Sequence, residues 1–160
     1  MANPSPVSQI LTEMAISHRE FVHDGPVRSL EQAAAERDQQ PGQVVRSLLF
    51  RISEGDYVLV LVAGPQQIDW KALRRALNQN RVTMATRDEV LAVTGYELGA
   101  VAPFGLKRPI PIWVDRSVWS FAEVSLGSGR RGTAVILSRD NFRKALAALD
   151  NVTDVSLARD

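Results

Sequence analysis

Cysteine is absent from the 160 residues, and histidine occurs only twice, at His18 and His23. The first absence excludes disulfides, thiol nucleophiles and thiolate metal sites, and fits a cytoplasmic protein. Neither histidine stands in an HExxH or other ligand spacing, so a catalytic zinc is not expected. Long apolar runs are missing too. The longest, Tyr57 to Ala63, has the length of a strand, not of a membrane span, so no membrane partner is expected. The N-terminal Met1-Ala2-Asn3-Pro4-Ser5-Pro6 has neither a basic nor an apolar region, and no signal peptide is expected. Charge of one sign is not in excess. Nineteen basic and eighteen acidic residues leave a formal +1, without the global positive field of a general nucleic-acid binder. There is no Gly-x-Ser-x-Gly nucleophile elbow. Gly127 and Gly132 have the spacing of a Walker A loop, but Thr133-Ala134 follows where Lys-Ser/Thr is required.

What is present reads as one domain, 1–160, with alternating helix and strand patterns. Val7, Ile10, Leu11, Met14 and Ala15 recur at helical spacing and predict an N-terminal helix ending near His18. A short strand follows at Glu20 to His23. Ser29-Leu30-Glu31-Gln32 has the form of a capping box opening an alanine-rich helix to about Arg37. Val44 to Ile52 and Tyr57 to Ala63 are strands, the second apolar on both faces and therefore central. Ile68 to Leu77 is an amphipathic helix whose other face carries Lys71, Arg74 and Arg75. Arg81 to Ala85 is a short strand, and Thr86 to Glu89 is a second capping box whose helix Gly95 terminates. Ile110 to Val114 is a strand placed near an edge because Pro111 interrupts it. Strands at Phe121 to Leu126 and Thr133 to Leu137, a helix capped by Ser138, and a short strand within Val152 to Leu157 complete the chain. Six or seven strands with four or five helices, out of strict βαβ order, predict an α+β domain with a mixed sheet that curls toward a barrel.

Three features point to function. In the strand from Val44, alternate residues Val44, Arg46, Leu48, Phe50 and Ile52 share one face. A guanidinium on that apolar row is costly unless it meets an anion, opens into a cavity, or snorkels to a structural partner. Second, Thr94 to Pro111 holds three glycines and three prolines, a stiffened loop that is either a binding wall or an irregular crossover. Third, Gly127-Ser128-Gly129-Arg130-Arg131-Gly132 is a glycine-rich turn between strands. Backbone N–H groups exposed by glycines hold oxyanions or phosphates, and arginine binds phosphate through paired hydrogen bonds. Local basic clusters at Lys71/Arg74/Arg75, Lys107/Arg108 and Arg130/Arg131 suit contact with a short piece of RNA, or are solvated faces.

The pattern Gly95-x3-Gly99-x3-Pro103-x-Gly105, with Val44-Val45-Arg46-Ser47-Leu48 and the Gly127 to Gly132 loop, resembles the YbaK/ProX family. These are aminoacyl-tRNA deacylases related to the editing domain of bacterial prolyl-tRNA synthetase. The resemblance runs from about Glu31 to Leu146. It implies a compact α+β domain with a barrel-like sheet, and hydrolysis of the ester joining a wrong amino acid to tRNA, without metal or organic cofactor. The tRNA's terminal ribose hydroxyl is implied to help activate water. On this resemblance Arg46, Gly99 and Pro103 take part in catalysis. Ser47, Gly95, Tyr96, Val101, Phe104, Gly105, Gly127, Ser128, Gly129 and Arg130 bind the substrate. The implied partners are the aminoacyl-tRNA acceptor end and a cognate aminoacyl-tRNA synthetase. Where many members carry lysine in this strand, the chain has Arg46, which keeps the charge but does not give up a proton. A non-catalytic module binding aminoacyl-tRNA or a synthetase is therefore a second reading. A phosphate-binding domain unrelated to tRNA is a third.

Overall fold

A computed structural model describes residues 3–159. Among them are five α-helices and eight strands divided between two sheets. The first helix, α1 (Pro6–Glu13), is shorter than its apolar spacing suggests. It is capped by the Ser5 hydroxyl and ends as Ala15 turns to positive φ. Strand β1 (Arg19–Val22) follows, then α2 (Leu30–Glu36). Ser29 accepts from the Gln32 N–H as a capping residue should, but the Gln32 side chain accepts from Arg28 rather than closing the box on Ser29.

The long hairpin β2 (Val45–Ser53) and β3 (Asp56–Ala63) forms the centre of the larger sheet. Strand β3 is buried along almost its whole length, as its two apolar faces require. Next come α3 (Trp70–Leu77), capped by the Asp69 carboxylate, and the two-residue strand β4 (Thr83–Met84). Helix α4 (Arg87–Thr94) has the complete Thr86/Glu89 capping box. Strand β5 (Ile112–Asp115) lies between β3 and the C-terminal β8 (Val152–Val155), parallel to both. The expected edge position is thus not found. Pro111 stands just before the strand, where its missing N–H interrupts no ladder, and its carbonyl accepts from Leu59. The larger sheet runs β4-β2-β3-β5-β8.

The smaller sheet is antiparallel, in the order β1-β7-β6, with β6 (Glu123–Gly127) and β7 (Thr133–Ser138); α5 (Arg139–Ala147) follows β7. A parallel bridge between Val44 and Ser125 joins the two sheets. The α+β class and the mixed, curled sheet agree with the sequence, although the strands divide into two joined sheets without closing.

The two faces of β2 separate two cores. Val45 and Leu49 share a large cluster with Leu59, Leu61, both strands β6 and β7, and helices α1, α4 and α5. Leu48, Phe50 and Ile52 turn the other way, into a smaller cluster with Val58, Val60, Val62 and Leu73 of α3. Among the described residues no helix is long and apolar enough to cross a membrane.

Candidate functional site

Helix α4 delivers the chain into the glycine/proline loop through Gly95, which takes φ +80° and donates to Leu91 O at 2.9 Å. The loop is pinned from within. The buried Thr94 hydroxyl donates to Val90 O (2.6 Å) and accepts from the Tyr96 N–H (3.0 Å). The Tyr96 hydroxyl crosses the loop to Phe104 O at 2.5 Å, and burial raises its pKa. At the far end, the N–H groups of Lys107 and Arg108 donate to Thr94 O and Val93 O, both at 3.1 Å. The loop therefore leaves and returns at one helix terminus. Tyr96, Val101 and Phe104 are buried against the large core, with Pro103 buried between them, and make the loop's inner wall, while Gly95, Gly99 and Gly105 are exposed. Gly99 has φ +93°, and a Cβ there would meet nothing within 4 Å. Among the described residues the N–H groups of Gly99 and Val101 take part in none of the hydrogen bonds that close the loop.

The second loop docks on the first. The Gly129 N–H donates to Ala100 O at 2.9 Å. A Cβ on Gly127 would stand 2.4 Å from Val101 O, so only glycine permits the approach. Ser128 is fully buried. Its hydroxyl accepts from the Arg130 N–H and faces the carbonyls of Arg130 and Thr133 at 3.0 Å, which shapes the turn. Arg130 reaches the carbonyls of Asn3 and Pro4. Arg131 and Glu97, both exposed, stand 3.9 Å apart across the two loops.

Arg46 and Ser47 come from β2 and point to opposite faces. Arg46 stands on the row of Leu48 and Phe50, paired with Val62, and donates to the Gln66 carbonyl. Its Nε is buried without a hydrogen-bond partner, and burial lowers the guanidinium's pKa. Ser47 stands on the row of Val45 and Leu49, the face whose cluster includes Val101 and Phe104; its hydroxyl is also buried without a partner. The structure thus brings the two loops together, sets Ser47 on the face of the loop wall, and sets Arg46 on the other.

One network was not legible in the sequence. Arg37, just past α2, donates through Nε to His23 Nε2 (3.1 Å) and through Nη1 to the Ser125 hydroxyl (3.0 Å). Because arginine always donates, His23 Nε2 accepts, and its Nδ1 carries the proton facing Glu36 at 2.8 Å. Ser125 in turn donates to Gln39 at 2.6 Å. Desolvation pushes the Arg37 pKa down to about 10. Only the neighbouring positions of Glu36 and Arg37 hinted at this, since the partners are distant in sequence. His18 has a local role, with its ring nitrogens on the Ser8 hydroxyl and Ile16 O. Two surface depressions, of about 350 and 320 Å³, lie away from both loops, at Phe21–Pro26 with α2 and at Arg51–Ser53 with Gln79–Thr83.

The structure is an α+β domain in which two interlocked glycine-rich loops stand beside a mixed sheet. Comparison with known proteins narrows the class. Residues 24–145 match the family described as the aminoacyl-tRNA editing domain. The chain is 36% identical over 111 residues to the uncharacterized protein YwhH of Bacillus subtilis, covering 69% of each. It is 31% identical over 131 residues to the proline--tRNA ligase of Bacillus licheniformis, covering 80% of this chain but 23% of that enzyme. In fold it is similar to a protein proposed as a trans-editing enzyme for prolyl tRNA synthetase, with a TM-score of 0.81, 24% identity, and coverage of 99% and 100%. The chain belongs to the aminoacyl-tRNA editing domain family. It spans about a quarter of the length of the proline--tRNA ligase it matches, and is homologous to that segment.

Proposed function

We propose that this chain is a cytoplasmic trans-editing deacylase. It hydrolyses the ester of mischarged aminoacyl-tRNA, with a small amino acid such as alanine or cysteine on tRNA for proline. The observation that carries this reading is the docking of the Gly127–Gly129 turn on Ala100 and Val101, beside the open, positive-φ Gly99. The wall of Val101, Pro103 and Phe104 is apolar and pinned, which suits a small side chain. The N–H groups of Gly99 and Val101 suit the carbonyl oxygen as negative charge develops on it. No side-chain nucleophile is required if the terminal ribose hydroxyl of the tRNA orients the attacking water. Arg46, which does not release its proton, holds a phosphate of the 3′ end, and the unpartnered Ser47 hydroxyl meets the substrate from the loop's face of β2. No metal or organic cofactor enters this scheme.

The test is ester release from a panel of mischarged tRNAs, including alanyl- and cysteinyl-tRNA for proline. Rapid release of one or two esters is expected, and Arg46→Ala should lower kcat/KM on the order of tenfold to a hundredfold, as for a lost charge-assisted contact. No release from any ester by the folded protein would overturn the reading. It would favour a module that binds aminoacyl-tRNA or a synthetase without cutting, which the arginine on the far face of β2 also allows.

A further inference from the structure

The net charge of +1 conceals an uneven distribution. Between Trp70 and Arg87 there are five cationic residues, Lys71, Arg74, Arg75, Arg81 and Arg87, and no acidic one, so the rest of the chain is net negative. Lys71, Arg75 and Arg81 are exposed and Arg74 is half-buried. None of these four side chains makes a hydrogen bond or ion pair among the described residues. The nearest acid in sequence, Asp69, is occupied as the α3 cap, accepting from the N–H groups of Lys71 and Ala72. Helix stability explains part of the cluster, because Arg74 and Arg75 lie in the last turn, where the dipole favours cations. Lys71 lies in the first turn, where the dipole opposes it. Beyond the helix, Arg81 shares the depression of about 320 Å³ with Arg51, Ser53, Gln79, Asn80 and Thr83. Arg51 is partly engaged with Glu89 at 3.7 Å, and Asp56 accepts from Ser53 at the hairpin beside it.

We infer that this face, from Lys71 along α3 to the Arg51/Arg81 depression, is a docking track for the phosphate backbone of the RNA duplex that carries the aminoacylated 3′ end. The inference rests on the reading of the ligand as an aminoacyl-tRNA. Unpaired, exposed cations with hydroxyl and amide donors between them match a row of phosphates. A protein interface would call for an apolar centre, and Met84 is the only large apolar side chain of the stretch that is exposed. The track lies on the α3 side of the larger sheet, opposite the loops, and Arg81 and Arg87 flank the edge strand β4, where the chain passes from one side to the other. Its last cation, Arg87, opens α4, whose eight residues span about 12 Å before Gly95 begins the loop. The duplex would rest on α3 while its unpaired end passes to the loops.

The test uses an uncharged RNA hairpin with a single-stranded 3′ end, so that binding is read without any ester. Its affinity is measured between low and moderate salt for the wild type and for Lys71→Gln/Arg74→Gln/Arg75→Gln, with circular dichroism to check folding; Arg81→Gln serves as a second variant remote from the helix. The triple variant should bind at least tenfold more weakly, with the slope of log K against log salt reduced by about two to three. Wild-type affinity and slope in both variants would overturn the track, as would retained RNA binding with loss of binding to a synthetase, which would reassign the face to a protein. The two readings fail separately. A wild type that binds the hairpin through these residues but releases no ester keeps the track and loses the deacylase. Equal kcat/KM on full tRNA and on a short aminoacylated 3′ fragment, unaffected by the triple variant, keeps the deacylase and loses the track.

Discussion

Arg37 and Arg46 are both partly buried, both have their pKa lowered by desolvation, and neither forms an ion pair with a carboxylate among the described residues. They differ in their partners. Arg37 has a neutral imidazole and a hydroxyl within 3.1 Å, both themselves held by further bonds. Arg46 has one carbonyl and an Nε with no partner, next to a serine whose hydroxyl is equally alone. A buried polar group left unsatisfied costs stability, so a fold keeps one where a ligand completes it. The first arginine is closed on the protein, and the second has donor capacity left over, which the proposed function assigns to a substrate. The same division separates Asp115, closed, from Ser47, open.

The largest effect expected from this contrast is on stability at the closed site. Arg37→Ala strands His23 Nε2 and loosens Ser125, and should cost about 2–4 kcal/mol in denaturant unfolding. Arg37→Lys should recover little, since an ammonium does not span both acceptors. Arg46→Ala should cost under about 1 kcal/mol of stability while lowering kcat/KM on the order of tenfold to a hundredfold. An equal loss of stability in both variants would erase the distinction.

Asp115 gives the next effect. Its buried carboxylate accepts from Ser117, Leu157 and Ala158 at 2.6–3.0 Å. Burial alone would raise its pKa, but these donors outweigh it and hold the group below its ordinary 3.8. A folded-state pKa depressed in this way gives stability that is present above 3.8 and lost as pH falls through the lower folded value. Asp115→Asn should cost about 1–3 kcal/mol near neutrality and flatten the acid limb of a pH-dependent unfolding curve below about 3.8. An unaltered acid limb would remove Asp115 from the account.

Ser47→Ala should give the smallest change in stability, from about zero to a few tenths of a kcal/mol in its favour, because an unsatisfied hydroxyl is replaced by a methyl group. Ester hydrolysis should fall nonetheless. Unchanged hydrolysis would mean that the open hydroxyl awaits no substrate.

The sequence disclosed most of the frame because its strongest signals are local. The apolar β3, the Thr86 capping box and the Gly95 stop each act within one element, and each is found. Pro111 gives a false edge signal because it precedes the ladder, so its missing N–H removes no hydrogen bond from the strand. The Gly127 contact with Val101 and the Arg37 network depend on segments far apart in sequence, and periodicity carries no information about them. Alternation correctly set Arg46 among apolar residues. It did not tell which face of β2 the loop would cover, and that face carries Ser47.

The single bridge between Val44 and Ser125 has a mechanical consequence. Ser47 lies three residues beyond it on one strand and Gly127 two residues beyond it on the other, so each stands within roughly 10 Å of the joint at strand spacing. Parts set close to a pivot travel least when the arms swing. The segments that would grip the ester on the proposed reading are thus set beside the joint, where the shared core also holds both sheets.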